Sequence, residues 1–475
     1  MRRSLALLVL PLVLAGCPAP QPDSCTPQAQ KADVLGLMQS WYLYPDLLRS
    51  ISPNDPAYPT VDAYLWALTA DARAAGKDRG WTYATTYSAS QRYYADGTAV
   101  GFGIGILVRQ DASNAYHVLV SQVFPGSPAS SASFARGDEI LAIGDTPATL
   151  VDVPTLVAGA ATIDDARAAV SSAIGPSTAG LSRSFQVLPL GASTSVLRTM
   201  TKDGYLLDPV PAGWTVFDPA GPTPIGYVAL RTFIGTAQIP LQNVFAQFQQ
   251  QNVHDVIVDL RYNGGGLISI AELLADLLGG ARSTSDVMYH VSFNAQHASS
   301  AETVFFAPQA QSTQAMRVAF ITTGATASAS ELVANVLEPY LTGNIALVGA
   351  RTYGKPVGQA GFAFYQCDLA VYLIALSLTN ADGEGGYFDG LPDASGNFSG
   401  PLCAAPDDLT HLQSDPAEAS TAAAIAWMTT GTCPAPAVAA KASGPSVLKA
   451  AAPVPDAYPD AIAPDEAQRN VRGLF

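Results

Sequence analysis

The sequence predicts an α/β layered core joined to a smaller β-rich module and a small helical region on its N-terminal side. Three patterns carry this. Between residues 224 and 378, apolar β-type runs alternate with runs of helical spacing, as in a largely parallel sheet. Between about 97 and 200 the runs are short, β-like and punctuated by turns such as Pro125-Gly126-Ser127-Pro128 and Gly144-Asp145. From Ala32 to about Ala74, Val34, Leu35, Leu37, Met38 and Trp41, then Tyr64, Leu65 and Leu68, recur at helical spacing. Pro45, Pro53, Pro56 and Pro59 break that pattern into a small unit.

Size and composition fit this plan. A chain of 475 residues suggests two to four domains at about 150 residues each. Apolar residues make up 48%, enough for large cores, and charged residues only 13%. The net charge of −15 and the lack of a basic run argue against a nucleic-acid surface.

The elements follow in order. Residues 18 to about 30 are Pro/Gln-rich and read as a tether. In the β-rich module, strands are expected at 117–123, 139–143 and 184–188, and a helix at 163–174. In the core, strands are expected at 225–233, 255–260, 316–322, 345–348 and 369–378. Helices are expected at 239–250, 268–278, 330–337 and 416–428. Beyond Cys433 the chain is Ala/Pro-rich and predicted to be disordered. The expected units are therefore 1–17, 18–96, 97–200, 201–432 and 433–475.

The first residues have the pattern of an export signal. Arg2 and Arg3 precede a short apolar run, too short to stay across a bilayer, which ends in Leu14-Ala15-Gly16-Cys17. That ending resembles the bacterial lipobox. It implies cleavage before Cys17, lipidation of its thiol, and an exported protein lipid-anchored to a bacterial membrane, on the periplasmic face or cell surface.

Export makes disulfides the expected use of Cys25, Cys367, Cys403 and Cys433. Four cysteines allow three pairings; Cys367–Cys403 is the favoured one. Their spacing fits no CxxC metal site and the five His form no HExxH, so no metal is expected.

Three segments carry candidate chemistry. Thr326-Ala327-Ser328-Ala329-Ser330-Glu331 lies where an expected strand meets an expected helix, and Lys355 follows in Tyr353-Gly354-Lys355-Pro356. A Ser hydroxyl needs a base to take its proton. An ordinary Lys amine, with pKa near 10.4, would have to drop by roughly 3, worth about 4 kcal/mol, to do so near neutral pH. Burial can supply that. Gln359 stands four residues on, placed to orient the amine. The strand-ending Asp259-Leu260-Arg261-Tyr262-Asn263-Gly264-Gly265-Gly266 could bring backbone N–H groups against an oxyanion. Singly, each has a plainer reading: Ser328 and Ser330 as helix caps, Lys355 as a solvated loop lysine, the glycines as a tight turn.

In order, strand–DLRxNxGG–helix, strand–SASxE–helix and strand–GKxxxQ resemble the carboxyl-terminal processing peptidases, the tail-specific serine protease family. Trp41-Tyr42-Leu43 and Lys77-Asp78-Arg79 resemble that family's N-terminal helical region. The stretch from Gly103-Ile104-Gly105 to Gly137-Asp138-Glu139-Ile140 resembles its PDZ domain. The resemblance spans roughly residues 32 to 430. It implies an α/β protease core of ClpP/crotonase-like layered sheets and helices, with a β-rich PDZ domain and a small N-terminal helical region. It implies Ser328 as nucleophile, Lys355 as general base, Gln359 as its orienter, and an oxyanion hole of backbone N–H groups at Gly265 and Ala329. Gly103, Ile104 and Gly105 would bind the end of a peptide, so the expected partners are proteins or peptides with exposed C-termini. No cofactor is implied.

The sequence departs from the pattern at Gly264, where Pro is common, at Thr326, where Ser is common, and at Pro356 after the lysine. Two other readings stay open: a non-catalytic PDZ-containing lipoprotein on the same fold, and a tricorn-like protease with a His partner. Ser446-Val447-Leu448-Lys449 fits an SxxK pattern but lies in the Ala/Pro-rich tail. The apolar end Gly473-Leu474-Phe475 is of a kind a PDZ groove accepts. A flexible stretch of about 42 residues averages roughly 35 Å, enough to reach one.

Overall fold

The computed structural model describes residues 24–218, 223–394, 396 and 398–435. Cys17 and the signal segment, Ser446–Lys449 and the Gly473–Phe475 end lie outside the described residues. Among those described, no helix is long and apolar enough to cross a membrane.

A six-stranded sheet forms the centre of the core. Its order is Thr215–Phe217, Ile225–Ala229, Asp255–Asp259, Arg317–Thr322, Ile345–Gly349 and Leu402–Ala404. The first pair is antiparallel and the rest run parallel, with Asp259 opposite Ile321 and Ile321 opposite Val348. The strands are apolar on both faces because both are covered. Val256, Val258, Val318, Phe320 and Leu347 pack with helices Gln238–Gln250, Ile268–Leu278 and Ala329–Leu337. The alternate residues Ile257, Ala319, Ile321, Ala346 and Val348 pack with helix Ala419–Thr430 on the other face.

A second sheet was not foreseen. The long strand Leu369–Thr379 pairs along one edge with Val357–Phe364. Its other edge pairs with Tyr83–Thr85 and Val287–Phe293, and Glu302–Phe305 completes the sheet. All these pairings are antiparallel. The helices Pro27–Trp41 and Val61–Leu68 pack on it, placing Val34, Met38, Tyr64 and Leu65 among Phe364, Val371 and Leu373.

The β-rich module holds a third sheet, ordered Ile104–Gln110, Tyr116–Val123, Glu139–Gly144, Ser182–Leu188 and Val196–Thr201, all antiparallel. Helix Ile163–Ile174 closes its core with Ala166, Val170 and Ile174. Its end strand also turns Leu107 outward, against Tyr262, Ala325 and Leu409 of the larger unit.

The disulfides correct the sequence expectation. Cys25 pairs with Cys367, and Cys403 with Cys433, at Cα separations of 5.2 and 5.0 Å. Cys367 and Cys403 belong to different layers: one in the turn before Leu369, the other in the central sheet. Cys403 faces the helix Ala419–Thr430, whose end returns Cys433 to it. Cys367 instead lies beside the start of the first helix, where Cys25 waits.

Candidate active site

The parallel strands Asp255–Asp259 and Arg317–Thr322 both end towards one edge of the central sheet, where ligands bind in open α/β sheets. The turn after the second strand brings Ser328 to the start of helix Ala329–Leu337. Ser328 is half-buried, with φ +57° and ψ −115°, a region a residue with a side chain rarely adopts. Four bonds impose that bend. Thr326 Oγ1 donates to Leu260 O at 2.8 Å and accepts from Thr323 N–H at 3.0 Å. Ala327 N–H donates to Asn263 O at 3.0 Å. Ser330 Oγ, read from sequence as a possible cap, donates to the same carbonyl at 2.9 Å. Thr326 therefore supplies a hydroxyl where Ser is common, with no loss of bonding.

The glycine loop lies directly against this bend. A Cβ on Gly265 would sit 2.9 Å from Ala327 O, Ala329 N and Ser328 Cβ, and the residue has φ +106°. Gly265 is thus required by space as well as by conformation. Its own N–H donates to Asn263 Oδ1 at 2.9 Å, whereas Ala329 N–H is the first of the helix and has no intrahelical acceptor. Asn263 is fully buried and also donates from Nδ2 to Leu230 O at 2.7 Å.

Lys355 is 3% exposed. Its Nζ donates to Gln359 Oε1 at 2.6 Å and lies 5.8 Å from the centre of the Trp81 ring. Gln359 Nε2 donates in turn to Trp81 O at 2.5 Å. The solvated-lysine reading is excluded by this burial.

Glu331 joins the two halves, and sequence reasoning gave it no role. Its carboxylate is fully buried. Oε2 accepts the N–H of Ser328 and the N–H of Lys355, both at 2.8 Å. Oε1 accepts Gly354 N–H at 2.7 Å and Thr352 Oγ1 at 2.5 Å. One oxygen therefore fixes the backbones of Ser328 and Lys355 back to back. Burial raises the pKa of Glu331, and the four donors work against that rise. The Ser-x-x-Glu spacing of a capping box was the signal available.

A charged cluster holds the glycine loop from the module side. Tyr262, at φ +69°, donates its hydroxyl to Asp407 at 2.7 Å and accepts from Arg136 at 2.7 Å. Asp407 also pairs with Arg136 at 2.9 Å, Arg109 at 3.0 Å and Arg261 at 3.5 Å. Arg261 is closed in by Asp259 at 2.9 Å and Glu418 at 2.8 Å. Arg109 and Arg136 come from the module; the remainder belong to the core.

Gly103, Ile104 and Gly105 stand at the head of the module's end strand. Gly103 has φ +70°, and a Cβ there would be 2.1 Å from Ser127 Cβ. Its carbonyl accepts Phe124 N–H and Ser127 Oγ. The five His residues are bonded elsewhere: His117 to Glu139, His254 to Gln314 O, His290 to Thr303, His297 to Ser40 and His411 to Asp408. Among the described residues, no group of His, Cys, Asp and Glu could hold a metal ion.

Residues 224–391 match the sequence model of the family described as Peptidase family S41. A chloroplastic C-terminal processing peptidase of Tetradesmus obliquus is 27% identical over 269 residues, covering 54% of this chain and 52% of that protein. A carboxyl-terminal-processing protease of Synechocystis is 30% identical over 237 residues, covering 50% and 49%. The chain thus spans about half the length of these two curated relatives. A solved Bacteroides fragilis protein classed with the S41 proteases aligns with TM-score 0.63 at 21% identity, over 84% of this chain and 97% of its own, a likeness of fold.

Proposed function

We propose that this chain, which carries an S41 peptidase domain and has carboxyl-terminal processing proteases as relatives, is an active serine endopeptidase with a Ser–Lys mechanism. Ser328 Oγ attacks a peptide carbonyl while its proton passes to Lys355 Nζ. Lys355 returns that proton to the leaving amine, and water then releases the acyl-enzyme by the same relay. Gln359 orients the lysine. Ala329 N–H, joined by Gly265 N–H in exchange for its Asn263 partner, holds the oxyanion. The observation that carries this reading is Glu331, whose one oxygen fixes the backbones of both Ser328 and Lys355.

The substrates are exported proteins with exposed C-termini. The turn at Gly103–Gly105, at the head of an end strand, suits capture of a terminal carboxylate by backbone N–H groups and addition of the peptide as a further strand. Lipidation at Cys17 would anchor the protein to a bacterial membrane.

The test is cleavage of an unfolded protein by the chain lacking residues 1–17, beside Ser328→Ala and Lys355→Ala. Both variants should lose activity by at least about a thousand-fold. An inert parent chain, or full activity in either variant, refutes the mechanism.

A further inference from the structure

Asp78 is fully buried, and the proposed chemistry does not use it. It lies between the upstream helices and the strand Tyr83–Thr85. Its Oδ1 accepts N–H groups of Gly80 at 3.1 Å, Trp81 at 2.7 Å and Thr82 at 3.3 Å. Its Oδ2 accepts the Tyr42 hydroxyl at 2.9 Å. A carboxylate withdrawn from water is costly unless bonded in this way, and three successive N–H groups converging on one oxygen define a rigid turn. Burial, and then the charge of Asp78, raise the pKa of Tyr42 far above its ordinary value, so its hydroxyl stays a donor.

Trp81 is the residue this turn fixes. Beyond it, Thr82 Oγ1 accepts Ile374 N–H at 3.3 Å and Tyr83 pairs with Tyr372, so the chain is pinned on both sides. The Trp81 carbonyl then has a specific consequence. An amide side chain can turn either its oxygen or its NH2 group towards a neighbour. A carbonyl can only accept, so it draws Nε2 of Gln359 and leaves Oε1 for Lys355 Nζ.

We infer that Asp78 is a positioning residue for Lys355, acting through the Trp81 carbonyl and Gln359. This rests on the reading of Lys355 as the general base. The upstream helical region then contributes to the geometry of the base as well as covering the second sheet.

The test compares Asp78→Ala, Asp78→Asn, Tyr42→Phe and Gln359→Ala well below their melting temperatures, with 15N-lysine labelling to follow Lys355 Nζ. Asp78→Ala should lower kcat about ten-fold or more with KM within about two-fold. It should move the Lys355 resonance in the same direction as Gln359→Ala. The double variant should lose no more than the larger single one, because both act through one chain of contacts. Asp78→Asn keeps Oδ1 as acceptor and should recover most of kcat. Arg49→Ala, which breaks an exposed pair with Asp71 in the same region, should leave kcat and resonance unchanged. If Asp78→Ala does not fold, Tyr42→Phe takes its place, with a smaller kcat loss and the same resonance shift. Additive losses, or folded variants with unchanged kcat and an unmoved resonance, overturn the proposal. If Ser328→Ala kept full activity the Ser–Lys mechanism would fail, and the resonance alone would still decide whether Asp78 positions the amine.

Discussion

The two flanks of the candidate site are held by different physics. The last links to Lys355 are an amide and a carbonyl, backed by Trp81 stacked near Phe388 at 6.5 Å and edge-on to Tyr353 at 6.1 Å. The glycine loop is held by charge: Asp407 among Arg136, Arg109 and Arg261, with Tyr262 between. A neutral bond contributes on the order of 1 kcal/mol and fails by small steps. A buried charge cluster is close to break-even when complete and costly when one member is removed. The last links to Lys355 should therefore weaken gradually, and the charge cluster at the loop abruptly.

The largest effect expected from this contrast is at Asp407. Asp407→Ala leaves Arg136 and Arg261 buried without that counter-charge and should cost about 3–5 kcal/mol in denaturant unfolding. Trp81→Phe, on the other flank, keeps the backbone carbonyl and most of the packing. It should cost about 1–2 kcal/mol. Equal losses at the two positions would end the distinction. Next comes Gly265→Ala. A methyl group there meets Ser328 and Ala329 at 2.9 Å and is strained at φ +106°. It should destabilise by about 1–3 kcal/mol. It should also lower kcat/KM at least about a hundred-fold, because it displaces the proposed oxyanion donors. Near-normal peptidase activity in this variant would remove the glycine loop from the site.

The contrast also explains what could be read from the sequence. The central sheet was legible because strands such as Asp255–Asp259 are apolar on both faces and alternate with helices; helix Ile268–Leu278 matches its expected bounds. The second sheet was not. Val357–Phe364 begins two residues after Lys355 and carries Gly358 and Gly361, so it reads as loop. Its strand character comes from pairing with Leu369–Thr379, a tertiary effect. Ser328, Lys355 and Gln359 were singled out by the order of three motifs and the resemblance it carries, each having a plainer reading alone. Glu331 was given no role although its Ser-x-x-Glu spacing was a capping-box signal, and Asp78 was given none because a buried carboxylate surrounded by backbone N–H groups looks in sequence like any surface acid. Asp407, in the run Pro406-Asp407-Asp408, offered no local signal at all: its partners are 145 or more residues away.

A smaller effect separates the flanks by pH. Burial works against the Asp407 carboxylate, but the charges of Arg136, Arg109 and Arg261 outweigh it and hold its pKa well below the ordinary range. A depressed carboxylate stabilises the fold fully above its unfolded pKa, near 4, and loses that contribution as pH falls further. Glu331 has the opposite sign. Its pKa is raised by burial, so its contribution is complete below the ordinary Glu value and declines as pH rises through the raised one. Mild acid should therefore loosen the module from the glycine loop while sparing the link between Ser328 and Lys355. Between pH 5 and 3, wild-type stability should fall by about 1 kcal/mol more than that of Asp407→Asn, which has no carboxylate to protonate. Parallel pH curves for the two proteins would show that Asp407 does not hold the module to the loop by its charge.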